Sequence, residues 1–161
     1  MLGMAKPVRT NGVTIIELIC VIAIMLVIAS VVMPVGQTVI KKQKEIELRR
    51  ALRQIRVAID DFHELALNFP GVRQELDMDN QDLYPPELEI LVEGIDLGLA
   101  VEKKVKFLRR LPVDPMTNST EWGLRSSRDD DTSDFWGGEN VFDVYTKSTG
   151  TALDGTKYKD W

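Results

Sequence analysis

Three aspartates near the end of the sequence could coordinate a metal ion. Asp143, Asp154 and Asp160 lie in one short polar stretch, and Asp154-Gly155 predicts a turn that lets this stretch fold back on itself. Carboxylate oxygens, completed by backbone carbonyls and water, are the ligands that Ca²⁺ prefers. The spacing therefore indicates a calcium site, with solvated turn aspartates as the alternative.

Residues suited to catalysis are scarce. Cys20 is the only cysteine and His63 the only histidine, so we expect neither a disulfide, a multi-thiolate metal site nor a Cys-His catalytic pair. Cys20 is interpreted as a small buried hydrophobe and His63 as an ordinary helix-surface residue. The sequence predicts that the protein is not an enzyme.

Glu17 is the most unusual side chain of the N-terminal half. It adjoins an uncharged run from Leu18 to Ile40, whose apolar core of about 20 residues is long enough to span a membrane as a helix. A carboxylate in such surroundings is costly unless a cation meets it, with a snorkelling interfacial position as the alternative. Cleavage between Gly12 and Val13 would place a new α-amine four residues from Glu17, and the amine of a neighbouring copy would serve equally well.

The segment NGVTIIELICVIAIMLVIASVVMP resembles the leader and N-terminal helix of type IV pilins and type II secretion pseudopilins. The matching residues are Gly12, Thr14, Glu17 and Pro34, whereas Val13 stands where the family usually has Phe. The resemblance implies cleavage between Gly12 and Val13 by prepilin peptidase and N-methylation of Val13. It also implies that Thr14, Glu17 and Pro34 take part in filament assembly.

The C-terminal part extends this resemblance. LPVDPMT, W-G, FDVY, a D-G turn and a final D-W follow one another as in the major, G-type pseudopilin of type II secretion, in which a C-terminal loop binds calcium. The resemblance assigns Asp154 and Asp160 to calcium. The segment between them is shorter than the usual family loop, and the range 68–105 matches the family least.

The elements that carry these residues follow from apolar periodicity. The resemblance places a leader over 1–12, and the apolar run gives a transmembrane or filament-core helix over 13–40. Apolar residues three or four apart then predict an amphipathic second half of the same helix over 41–69, ending at Pro70-Gly71. On its polar side, Arg56 and Asp60 are expected to form an (i, i+4) ion pair.

A globular α+β body is expected over 70–161. ELEILVEG predicts a helix capped by Gly94, the range 99–110 a further helix, and EWGLRS and NVFDVYT two strands. The connection over 126–139 contains the run Asp129-Asp130-Asp131, interpreted as a solvated loop. The expected fold is α+β and pilin-like, with a long N-terminal helix packed by its second half against a small antiparallel sheet.

Charge is distributed unevenly along the chain. Residues 1–56 hold 9 basic and 3 acidic side chains, whereas residues 57–161 hold 11 basic and 22 acidic ones. The acidic body argues against nucleic acid as a partner. The resemblance implies other partners: copies of the chain in a helical polymer, prepilin peptidase, minor pseudopilins, an inner-membrane assembly platform and the membrane.

The expected function is structural. The resemblance implies a single-pass protein of the bacterial inner membrane with its body in the periplasm, which assembles into a type II secretion pseudopilus. Polymerisation would drive export of folded proteins across the outer membrane. The alternatives are a type IV pilin for adhesion or motility, or a membrane-anchored binding domain or enzyme.

Overall fold

One long helix dominates the N-terminal half. The computed structural model describes residues 12–76, 82–97, 104–130 and 133–161, without the side chains of 31–35 and 74–75. Helix α1 spans Ile15–Asn68 and holds 54 residues. The predicted long helix is confirmed, because its bounds differ by two residues or fewer from the expected 13–69. Pro34 lies within these bounds, but its side chain is outside the described residues, so its role stays a prediction.

The chain divides into two compact units, Met1–Ile40 and Lys41–Trp161. In the described part of the first unit, one helical segment follows residues 12–14. A single helix has no interior in which to bury a side chain. The prediction that Cys20 is buried is therefore wrong for the chain by itself, since Cys20 is exposed.

The predicted membrane location is also wrong. A helix needs about 20 consecutive apolar residues to cross a bilayer. Among the residues that the structure describes, no helix is both long enough and apolar enough for that purpose. This finding contradicts the expected placement of the chain as a single-pass inner-membrane protein with a periplasmic body.

Three short helical elements follow α1 in the described residues. Helix α2, Pro70–Glu75, begins with Pro70 in its first turn, where a missing N–H costs nothing, so Pro70 ends one helix and starts the next. Helix α3, Ile90–Glu93, ends at Gly94, whose φ of 83° lies in the region that favours glycine. The predicted cap at Gly94 is thus confirmed. A 3₁₀ helix, Tyr158–Asp160, closes the described chain.

The strands within the described ranges form two small antiparallel sheets rather than one. Strands β1, Ile95–Asp96, and β2, Lys104–Val105, form the first pair. Strands β3, Gly123–Arg125, and β4, Asp143–Tyr145, form the second, with Leu124 opposite Val144. The two predicted strands are confirmed in shortened form. The predicted helix over 99–110 is wrong where it is described, because residues 104–105 pair as a strand.

The second half of α1 supplies one wall of the body's core. Its buried apolar side chains recur every three or four residues, which is the spacing of one helix face. They meet buried residues of the short helices, the sheets and the loops, including Val72, Leu91, Trp122 and Val144, in one cluster. The buried α1 residues of this cluster are Leu48, Ala51, Leu52, Ile55, Ala58, Ile59, Phe62 and Ala66. The coarse α+β architecture, a long helix with small antiparallel sheets, is therefore confirmed.

Candidate functional site

The first turn of α1 places Glu17 at a favourable position. Thr14 caps the helix, because its Oγ1 accepts a hydrogen bond from the Glu17 backbone N–H at 3.3 Å. The Leu18 N–H donates to the Thr14 carbonyl at 3.1 Å. A carboxylate in the first turn of a helix is stabilised by the helix dipole and, when exposed, by water. Glu17 is exposed, so its charge becomes costly only when other apolar surface covers it.

Apolar side chains surround Glu17 and continue along α1. Their exposed fractions are high: Ile15 is 81% exposed and Leu26 66% exposed. Large exposed apolar surfaces of this kind mark sites of association. The other large apolar side chains exposed between Ile15 and Ile28 are Ile16, Leu18, Ile19, Val21, Ile22, Ile24, Met25, Val27 and Ile28.

The expected cleavage point lies just before this helix. Gly12 and Val13 are exposed and precede the first helical residue, Ile15. A side chain built on Gly12 would meet no atom of the described residues within 4 Å. The peptide bond between them is therefore extrahelical and accessible to solvent.

Near the other end of the chain, α1 holds the C-terminal segment through three polar residues of one helix face. The first of them, Glu45, accepts two hydrogen bonds through Oε1, from the Leu153 backbone N–H at 2.9 Å and from the Tyr158 hydroxyl at 3.0 Å. Tyr158 is buried, and this burial together with the hydrogen bond to Glu45 raises its pKa to about 12. Glu45 thus joins α1 to a segment more than 100 residues away.

Arg49 lies one turn further along α1. Its guanidinium carbon is 3.9 Å from the centre of the Trp161 ring, a cation–π geometry. One of its nitrogens, Nη2, is 3.7 Å from Asp154 Oδ2. Both Arg49 and Asp154 are more than half exposed, so this ion pair contributes little by itself.

Arg56 is the third residue of this face and makes the most contacts. Its Nε donates to Asp143 Oδ1 at 2.6 Å, and its Nη2 donates to the Trp161 carbonyl at 2.8 Å. Arg125 Nη1 lies 3.7 Å from the other oxygen of Asp143. The expected pair of Arg56 with Asp60 is wrong, because the partly buried Asp143 offers a bidentate partner that the exposed Asp60 does not.

The predicted calcium ligands have partners within the chain. Asp143 faces two guanidinium groups, as just described. Asp154 Oδ1 accepts from the Thr156 hydroxyl at 2.6 Å and from the Thr156 N–H at 2.9 Å, and these bonds lower the pKa of Asp154 below its usual value. The predicted turn is confirmed by the φ of 90° at Gly155. Asp160 is an exposed residue at the end of the 3₁₀ helix.

These three carboxylates do not form a coordination shell in the described arrangement. Within the described ranges, no three His, Cys, Asp or Glu side chains are placed to hold one metal ion. The two guanidinium groups make Asp143 a poor donor for a divalent cation, while Asp154 and Asp160 remain exposed to solvent. Calcium binding stays a prediction.

The acidic loop contains one structural aspartate that the sequence did not distinguish from its neighbours. Asp129 Oδ2 accepts backbone N–H bonds from Ser126 at 2.7 Å and Gly137 at 3.1 Å. These hydrogen bonds lower the pKa of Asp129 below its usual value. Asp130 is exposed, as expected for a solvated loop, and Asp131 lies outside the described residues.

A buried carboxylate, Asp114, was not singled out by the sequence analysis. It is fully buried and accepts hydrogen bonds from the Thr146 hydroxyl at 2.5 Å, the Thr117 hydroxyl at 3.1 Å and the Met116 N–H at 2.8 Å. These bonds satisfy the carboxylate and connect the turn to the strand region. Its role is structural.

His63 has a packing role in the described structure. Its ring stacks on Tyr84 with centroids 4.2 Å apart, and its Nδ1 lies 3.3 Å from the Leu83 carbonyl. It is half-buried, so it is more enclosed than an ordinary surface residue.

Comparison with known proteins gives no match, so any proposal about function rests on features of the chain itself. No protein-family model, curated protein or solved structure matches the chain.

Proposed function

We propose that this chain is the structural subunit of a type II secretion pseudopilus, processed by prepilin peptidase and polymerised to drive export of folded proteins across the outer membrane. The observation that carries the proposal is the contrast between the two halves of α1. The first half exposes large apolar side chains, whereas the second half packs in the body's core. In this proposal, copies of the chain cover each other's apolar halves.

The position of Glu17 supports a selective contact in such a polymer. Its carboxylate is exposed and lies in the first turn of an apolar helix. Covering the helix with apolar surface would desolvate this charge, which is costly without a cation. The amine of a processed neighbour beginning at Val13 supplies that cation and fixes the register between copies.

Processing is the step that creates this amine. The accessible, extrahelical bond between Gly12 and Val13 supports cleavage at that point. In the proposal, the new amine of Val13 is then methylated. Minor pseudopilins and an assembly platform are the further proposed partners. A pilin-like fold is part of the proposal.

Calcium is the proposed cofactor of the C-terminal segment. The exposed carboxylates of Asp154 and Asp160 support it, and hydrogen bonds from Thr156 lower the pKa of Asp154. Asp143 is better assigned to the arginine contacts, because two guanidinium groups already neutralise it.

Co-expression of the full chain with a prepilin peptidase tests this proposal. Mass spectrometry should find a product that begins at Val13, and electron microscopy should find filaments. Glu17→Gln should be cleaved normally but fail to form filaments, because the polymer loses the charge that selects its register. Glu47→Gln is the matched control, since Glu47 is exposed on the same helix. An uncleaved chain in filaments, or normal filaments from Glu17→Gln, would contradict the proposal.

A further inference from the structure

A cavity of about 420 Å³ is lined by residues at the end of strand β4 and by residues of the C-terminal segment. Small-molecule sites in proteins usually enclose about 300–1,000 Å³, so this cavity is large enough for a small organic ligand. We call it the lysine cavity, because three lysines contribute to its wall. Its lining includes Lys147, Lys157 and Lys159, the hydroxyls of Thr146 and Ser148, and the carboxylate of Asp134.

The charge of the lysine cavity is opposite to that of the body around it. Residues 57–161 hold 11 basic and 22 acidic side chains. The cavity instead combines three lysines with one aspartate, which leaves a net charge of two positive units. Lysine has an ordinary pKa of about 10.4, so these amines are cationic near neutral pH. Cations gathered around one cavity favour an anionic ligand, because their electric fields add there.

Two of the three lysines are available to such a ligand. Lys157 forms no ion pair with another residue of the described ranges. Lys147 Nζ lies 3.5 Å from Glu121 Oε2, but both side chains are more than half exposed, so this ion pair contributes little. A ligand that enters the cavity can therefore take over both amines at small cost.

Fixed contacts hold the C-terminal wall of the lysine cavity in place. Lys159 Nζ donates to both carboxylate oxygens of Asp134, at 2.8 and 3.0 Å. The backbone of Lys157 pairs with that of Thr151 in an antiparallel bridge. Because these contacts exist before a ligand arrives, less conformational freedom is lost on binding.

The wall that follows strand β4 is also held by hydrogen bonds. Thr146 is fully buried, and its Oγ1 accepts from the Ser148 N–H at 3.1 Å. Ser148 Oγ accepts from the Gly150 N–H at 3.3 Å. A hydroxyl that accepts a hydrogen bond still has its own proton to donate. Ser148 therefore adds a neutral donor to the lysine amines.

We propose that the lysine cavity binds a phosphate monoester, whose phosphate group is held by Lys147, Lys157 and the Ser148 hydroxyl. A phosphate monoester carries about −1.5 to −2 charges at pH 7, which matches the two positive charges of the cavity. Its three terminal oxygens can accept from two amines and a hydroxyl together, whereas each carboxylate of a dicarboxylate offers only two oxygens. The remaining volume takes the small organic group of the ester.

This site is independent of the proposed function. All its lining residues belong to the unit Lys41–Trp161, whereas the proposed polymer contact uses the first half of α1. Failure of filament assembly therefore leaves the site standing, and failure of ligand binding leaves the filament proposal standing.

Equilibrium dialysis of the full chain tests the class of ligand. Radiolabelled glycerol 3-phosphate is the probe, glycerol is the neutral control and succinate is the dicarboxylate control. The proposal expects saturable binding of glycerol 3-phosphate, no binding of glycerol, and binding of succinate that is weaker by about tenfold, since succinate forms fewer charge-assisted hydrogen bonds at one point. Succinate binding as tight as that of the probe, or no saturable binding of the probe, would overturn the proposal.

Charge removal locates the site. Lys147→Gln and Lys157→Gln should each weaken binding of glycerol 3-phosphate by about tenfold, because each variant loses a charge-assisted hydrogen bond. The matched control is Lys104→Gln, which removes the same charge at an exposed position on strand β2 and should leave the affinity unchanged. Equal losses in the cavity and control variants would mean attraction by net charge alone and would overturn the site.

Protection from acetylation gives a measurement on the chain without substitutions, so it does not depend on the folding of a variant. Acetic anhydride labels accessible amines, and mass spectrometry measures the rate at each lysine. With the probe at about ten times its dissociation constant, the site is about nine-tenths occupied, so labelling of Lys147 and Lys157 should slow by about tenfold. Labelling of Lys104 should not change. Equal slowing at all three lysines, or no slowing at Lys147 and Lys157, would place the probe elsewhere and overturn the proposal.

Discussion

Arg56 on the long helix and Asp143 on strand β4 form a bidentate ion pair across 87 residues of sequence. The Nε–Oδ1 distance is 2.6 Å and the Nη2–Oδ2 distance is 3.2 Å. The same Arg56 Nη2 also donates to the carbonyls of Val144 and Trp161. One side chain therefore ties the helix to the second sheet and to the C-terminal segment.

Removing the Arg56 guanidinium should destabilise the body. Arg56→Gln loses these hydrogen bonds while keeping a polar side chain, and we expect the free energy of unfolding to fall by about 1–3 kcal/mol. Chemical denaturation of the full chain measures it. Lys147→Gln is the control, because its 3.5 Å contact with Glu121 is exposed and should matter by less than about 1 kcal/mol. Equal effects of the two substitutions would contradict the assigned role of Arg56.

Tyr158 should make stability fall at alkaline pH. Burial and its bond to Glu45 raise the pKa of Tyr158 from 10.0 to about 12, so the folded state favours the neutral phenol. The stability it contributes is fully present below pH 10 and is lost as the pH rises through about 12. Near-ultraviolet absorbance should record one tyrosine that ionises near pH 12, absent in Tyr158→Phe. The advantage of wild type over Tyr158→Phe in unfolding free energy should shrink over the same range; a constant advantage would contradict the assignment.

Calcium binding is tested by thermal unfolding of the full chain. Because a ligand that binds only the folded state stabilises it, Ca²⁺ should raise the melting temperature and a chelator should reverse the rise. Asp154→Ala should abolish this gain, whereas Asp130→Ala, which removes an exposed loop carboxylate, should keep it. A wild-type melting temperature that does not change with Ca²⁺ would contradict calcium binding. Arg49 and Arg56 would then be the cations that face Asp154 and Asp143.

Local patterns determined the backbone features of the chain. The three-to-four-residue apolar spacing predicts α1, because a helix brings such residues to one face. The glycines after Glu93 and Asp154 mark positive φ angles that the structure confirms, since glycine adopts them without strain. The resemblance of the N-terminal segment supplied the hypothesis about Gly12, Val13, Thr14 and Glu17.

Only the tertiary structure decided which charged side chains form ion pairs. By sequence spacing Arg56 belongs with Asp60, four residues away, and Asp143 belongs with the calcium ligands. Packing of α1 against β4 instead places Asp143 beside Arg56 and Arg125. A pair between residues 87 positions apart depends on how two elements pack, and no local pattern carries that information.

The same reason explains why the strands and aspartates were predicted only in part. Residues 104–105 pair with Ile95–Asp96, which overrides the helical pattern of their own segment. Asp129 differs from Asp130 only because the loop folds so that two backbone N–H groups point at its carboxylate.

The sequence by itself determined the helix, its apolar half and the turns, because these depend on neighbours along the chain. The tertiary structure decided the ion pairs and the hydrogen-bond partners of Asp114 and Asp129, because these depend on how segments that are distant in sequence pack against each other.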